Sequence, residues 1–233
     1  MLLFLLFTQR GNRLISEAKE FILGPRLPEG YVYGIDVSHF QGDIEWEKVT
    51  HIAYDPIVNR VRKDGTLKKK IRFAIVKATE GSSNHYDDEN YYINRAEIKR
   101  KGLVFGAYHV LTSGGKVEEQ AKRYIEVTRL EKGDIRPILD VENDIKLKGR
   151  ELIDAIKSWI RIVENHYKCK PIIYTSYNLY KRALNIDEFK EYDFWIAQYN
   201  NMTIDVDCAI WQFSHCGKIE GISGRVDLNV LPN

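Results

Sequence analysis

Pro137-Ile138-Leu139-Asp140-Val141-Glu142-Asn143-Asp144 is the stretch on which the fold is read. Pro137-Ile138-Leu139 has the character of a buried strand, and a carboxylate follows it at once. Asp140 and Glu142 are two apart, so on a strand both side chains point to one face. In a barrel that face is the interior near the mouth, with Leu139 and Val141 turned outward against helices. Two carboxylates this close repel, which raises the pKa of at least one and readies it as a general acid. Asp144 reads as a helix cap or surface turn. Paired carboxylates at a strand end also serve magnesium or manganese, so a metal site stays open at this point.

Working outward, the chain alternates. Strand-like apolar runs occur at Tyr31–Val37, Arg72–Lys77, Leu103–Tyr108, Ile135–Val141, Pro171–Tyr174, Phe194–Ala197, Ala209–Phe213 and Val226–Leu228. Helical periodicity separates the earlier ones, at Tyr91–Lys101, Val117–Leu130, Glu151–Tyr167 and Tyr177–Leu184. Five strand–helix units followed by three strands predict an α/β fold, a TIM-barrel-like, irregular (β/α)5(β)3 barrel in a single domain; a doubly wound open sheet is the competing topology. In either, chemistry collects at the C-terminal strand ends. The first strand ends in Asp36, the fourth in Asp140 and Glu142, and the last carries Asp227.

Composition narrows the function. The 233 residues carry 35 basic and 33 acidic side chains, a balance that argues against nucleic acid as a main partner. Tyrosine supplies 14 of the aromatic residues, beside 9 Phe and 4 Trp, and Tyr suits partly wet contact surfaces. Cys169, Cys208 and Cys216 are too few for a disulfide framework and lack metal-ribbon spacing, though Cys208 and Cys216 could pair. No H-E-x-x-H, phosphate loop, nucleophile elbow or dinucleotide fingerprint occurs. Carboxylate chemistry in an aromatic-rich mouth remains, and that combination points to glycosidic bonds.

Two stretches are less regular. Leu2–Phe7 is apolar and short, and residues 1–30 read as the remnant of a signal or membrane anchor plus a linker broken by Pro25 and Pro28. The barrel domain is placed at 31–233. Between Trp46 and Arg72 the connection is long, and Asp64-Gly65 predicts an inserted hairpin around residues 54–70.

Eight segments in order resemble glycoside hydrolase family 25, the N-acetylmuramidase lysozymes. They are Gly34-Ile35-Asp36-Val37-Ser38-His39-Phe40-Gln41-Gly42-Asp43-Ile44-Glu45-Trp46, Phe73-Ala74-Ile75-Val76-Lys77-Ala78-Thr79-Glu80-Gly81, Gly106-Ala107-Tyr108-His109, and Pro137 to Glu142. Pro171-Ile172-Ile173-Tyr174-Thr175, Phe194-Trp195-Ile196-Ala197-Gln198-Tyr199, Trp211-Gln212-Phe213-Ser214 and Gly221-Ile222-Ser223-Gly224-Arg225-Val226-Asp227-Leu228-Asn229 complete the set. The resemblance implies retaining hydrolysis of peptidoglycan glycan strands outside the cytoplasm by a monomer that needs no cofactor or metal. It implies Glu142 as general acid, Asp140 as helper of the substrate acetamido group or as nucleophile, and Asp36 and Asp227 in the acidic floor. Tyr108, Tyr174, Trp195, Gln198, Tyr199 and Trp211 are the expected sugar-groove residues, with barrel packing an equal reading for Trp195, Tyr199 and Trp211. His39 and His109 read as structural. A chitin-like substrate and a non-catalytic glycan-binding barrel are the alternatives.

Overall fold

Alternation along each strand sorts side chains into an interior and an outer layer. The strands are β1 (Val32–Val37), β2 (His51–Tyr54), β3 (Lys69–Glu80), β4 (Val104–Val110) and β5 (Ile138–Val141). They continue as β6 (Ile172–Ser176), β7 (Phe194–Ala197), β8 (Ile210–Ile219) and β9 (Val226–Leu231). The computed structural model describes residues 31–54, 69–82, 87–142, 145–199 and 203–231. The expected signal or anchor remnant, the Asp144 cap and the Asp64-Gly65 turn lie outside the described residues.

The strands close in the order β1, β3, β4, β5, β6, β7, β8, β9 and back to β1, an eight-stranded barrel. The open-sheet alternative therefore falls. Every neighbouring pair is parallel except those of β9, which runs antiparallel to both β8 and β1. The short β2 stands outside this ring, bridging the first residues of β3 and the far end of β8.

The lower interior is filled by Phe73, Ile75, Ile138, Ile172, Trp195 and Ile210. Glycine at position 34 is what admits Phe73, because a Cβ there would sit 2.5 Å from the ring. Outside, α1 (Tyr91–Arg100), α2 (Val117–Thr128) and α3 (Gly149–Tyr167) cover the parallel strands. Helix α3 buries Leu152, Ile156, Trp159, Ile160 and Val163, one stripe at three- and four-residue steps, against Leu139, Val141, Ile173 and Ile196. Each such side chain contributes roughly 1.5–3 kcal/mol by leaving water. The helix stops at Lys168, which adopts the left-handed conformation at φ 57°.

Three features depart from the sequence expectation. Among the described residues, the connection after β1 holds two 3₁₀ turns, at His39–Gln41 and Trp46–Lys48, and β2 in place of an α-helix. The expected helix over Tyr177–Leu184 is α-helical only in α4 (Tyr177–Leu179) and continues as a π-type turn over Tyr180–Leu184. Asp227 lies near the start of its strand, not the end, and reaches the mouth because β9 runs the other way.

Candidate active site

Inward positions at the C-terminal ends of the parallel strands converge with the N-terminal part of β9. In the β1–β9 register Asp36 faces Asp227 directly. Two charged carboxylates opposite each other across a ladder repel. Here a hydrogen bond joins them instead. Burial pushes Asp227 up to about 8, reinforced by the neighbouring Asp36 charge, its hydrogen bond to Asp36, and Glu142. Burial also raises Asp36, to about 6, while bonds from Asn229, Gln212 and Asp227 restrain the rise. The two groups titrate as a pair.

Asp36 Oδ2 accepts from Asn229 Nδ2 at 2.7 Å and from Gln212 Nε2 at 2.8 Å. Behind Asn229, the Trp195 indole N–H donates to its Oδ1 at 2.8 Å. Behind Gln212, the hydroxyls of Tyr174 and Tyr199 donate to its Oε1 at 2.9 and 2.6 Å. Neither amide stands out in the sequence as a site residue. Their signal there is a polar residue at an inward position of an apolar strand, two places from Ile210 in β8 and two from Asp227 in β9.

The opposite wall is β5. Asp140 is buried at 5% exposure on the inward face, flanked by outward Leu139 and Val141. Glu142, just beyond the strand, is exposed to the groove. Their charges reach the same neighbours: both push the Tyr174 hydroxyl up after burial does, and Glu142 acts on Tyr199 and Asp227 as well. Tyr108 is raised well above its usual value by burial, then by Asp36 and Asp140.

The structure thus brings Asp36, Asp140, Glu142, Asp227, Tyr108, Tyr174 and Tyr199 to one mouth. Trp195 lies beneath it at 1% exposure, its ring edge-on to Tyr174 at 4.5 Å, and supports the groove from below. Gln198 is half-buried beside β8, its N–H donating to the Gln212 carbonyl at 3.1 Å. Trp211 is not brought to the mouth. It sits on the outward face of β8 with Phe213, and its indole donates to the Gln198 carbonyl at 2.9 Å.

Next to the acids a cleft of about 360 Å³ is lined by His39, Phe40, Lys77, Glu80, Asp87, Asp88 and Glu89. Lys77 and Glu80 pair at 2.5 Å, and His39 Nδ1 meets Asp88 at 2.9 Å. Phe40 is 80% exposed at its rim. His109 is a structural residue: fully buried, it is drawn down to about 4 by burial and stays neutral. Its tautomer follows from Gln120, whose Nε2 donates to two carbonyls and whose Oε1 therefore accepts from His109 Nε2. Thr79 then donates to Nδ1 at 2.7 Å.

Comparison with known proteins agrees with this architecture. Residues 35–222 match the family model for glycosyl hydrolases family 25. The chain is 34% identical over 212 residues to the uncharacterised protein YegX of Escherichia coli O6:H1, spanning 88% of this chain and 72% of that protein. It is 26% identical to Lysozyme M1 of Streptomyces globisporus, spanning 90% of this chain and 70% of the relative. The solved structure of a family 25 glycosyl hydrolase from Bacillus anthracis superposes with a TM-score of 0.73 at 25% identity, covering 90% of this chain and 93% of that one.

Proposed function

The chain belongs to glycosyl hydrolase family 25, and from that premise we propose that it is a lysozyme. It cleaves the β-1,4 bond between N-acetylmuramic acid and N-acetylglucosamine in peptidoglycan, with net retention. The observation that carries this reading is the pairing of two carboxyl groups on the inward side of β5, one buried and one open to the groove, opposite a second, proton-sharing pair.

Glu142 gives its proton to the bridging oxygen as the bond from C1 to that oxygen breaks. The acetamido oxygen of the same sugar closes on C1 from the opposite face and forms an oxazolinium ion. Water then attacks C1, returns a proton to Glu142 and reopens the ring; two inversions leave the configuration retained. Asp140 orients the acetamido N–H and stabilises the positive charge. Asp36 and Asp227 form the groove floor, and Tyr108, Tyr174, Gln198 and Tyr199 hold sugar hydroxyls and ring faces, with Trp195 fixing their base. The enzyme acts on the wall outside the cytoplasm, as a monomer. The relatives named lysozymes support the substrate class.

Incubating the protein with purified peptidoglycan tests the reading. Turbidity falls and mass spectrometry finds muramic acid at the new reducing ends. Absence of muropeptide release overturns it, and release of N-acetylglucosamine oligomers from chitin alone would move the activity to that substrate.

A further inference from the structure

We propose that Gln212 and Asn229 are positioning residues that hold Asp36 as the ionised member of the acid pair, so that Asp227 carries the shared proton. The catalytic consequence rests on the glycosidase reading above; the proton placement itself rests on donor polarity.

A tryptophan indole nitrogen only donates. Trp195 therefore requires an oxygen from Asn229, and the Asn229 amino group is left facing Asp36 Oδ2 at 2.7 Å. Gln212 is fixed the same way from the other side. Two tyrosine hydroxyls occupy its Oε1, and its amino group meets the same Asp36 oxygen at 2.8 Å. An oxygen that receives two amide donors carries no hydrogen of its own, and two such donors favour the carboxylate over the neutral acid. With Asp36 charged, Asp227, its direct cross-strand neighbour, supplies the hydrogen of the bond between them.

Burial and the charge of Asp36 favour keeping that proton, and an ionised Glu142 adds to them. The Asp88 charge reaches Tyr108, while Tyr108, Tyr174 and Tyr199 carry neutral hydroxyls with raised pKa values. Lys77 on β3 is turned to Glu80. During turnover Glu142 becomes an anion, and a neutral Asp227 spares the groove a second new repulsion at that moment.

The test follows the carboxyl carbons of ¹³C-labelled aspartate by NMR across pH, with the pH dependence of kcat/KM in parallel. In the unaltered protein Asp36 and Asp227 titrate in two separated steps above the ordinary carboxylate range. Gln212→Glu keeps the shape and removes the donor; the lower step and the acid limb of kcat/KM both move up by about one pH unit. Trp195→Phe and Tyr199→Phe loosen the amides without touching Asp36 and shift the lower step the same way by less. Asp36→Asn lowers kcat more than Asp227→Asn, and Asp227→Asn removes the upper of the two carboxyl steps.

Thermal melts identify a variant that fails to fold, and Tyr199→Phe, at a half-exposed position, takes over the test if Gln212→Glu does. Ordinary titration of both aspartates, or steps that none of the variants moves, overturns the proposal. If the steps move as stated but no muropeptide is released, the positioning stands and the lysozyme reading falls. If muropeptides are released and the steps do not move, the lysozyme reading stands and the positioning falls.

Discussion

The two walls of the barrel mouth carry the same charged groups and treat them oppositely. On the β8–β9–β1 side, Asp36 and Asp227 are bound to each other, and Asp36 is bound to two amides, themselves held by Trp195, Tyr174 and Tyr199. On the β5 side, Asp140 is buried on the strand while Glu142 projects past it into the groove. A carboxyl group that must exchange a proton with substrate needs access, and one that must keep its ionisation needs a fixed shell of donors. The difference teaches that four acids in one mouth are sorted by their neighbours, one pair enclosed and hydrogen-bonded and the other placing one member open to the groove.

The sharpest way to break that division is Glu142→Gln. It leaves the groove shape intact and removes the transferable proton, so kcat falls by about 10³-fold with little change in KM. Near-normal turnover in a peptidoglycan assay would move the acid to another residue. Next in size is the floor common to both walls. Phe73→Ala opens a cavity under Gly34 and costs about 3–5 kcal/mol of stability, measured by urea denaturation. A loss under about 1 kcal/mol would mean the interior collapses to fill the space.

A smaller effect separates the walls by pH. Asp227 holds its proton up to about 8 in the folded protein, whereas an unfolded aspartate loses it near its ordinary value of 3.8. Between those values the folded state binds the extra proton, so stability declines as pH rises through that window. Asp227→Asn flattens the decline in a series of thermal melts; a parallel slope in the variant would assign it elsewhere. The smallest effect belongs to Trp211→Phe, which loses the bond to the Gln198 carbonyl and about 1 kcal/mol of stability. A rise in KM larger than that of Tyr199→Phe would return Trp211 to the groove.

What can be read from the chain alone follows the range of the forces involved. The Asp-x-Glu of β5 is legible because strand alternation is local: Leu139 and Val141 outward fix Asp140 and Glu142 inward. The barrel is legible from the strand and helix periods. The direction of β9 is not, since it depends on pairing with β1 at the other end of the barrel sequence. Gln212 and Asn229 stand inside the family-like motifs, yet their importance appears only when Asp36 arrives beside them. Strand β2 is four residues held by β3 and β8, with no period of its own to announce it. Trp211 and Trp195 look alike in composition and are told apart by strand phase, outward in β8 and inward in β7.

The antiparallel β9 also sets an order of events. During synthesis β1 emerges early, and its Asp36 meets Gln212 only after 176 further positions and Asn229 only after 193. Closing loops of that length is slow, and it comes after the local strand–helix units have formed. Until β8 and β9 dock, the carboxylate on β1 has none of the amide donors that hold it, and the groove lacks its supporting wall. The groove is therefore complete only once the seam from β8 through β9 to β1 has closed.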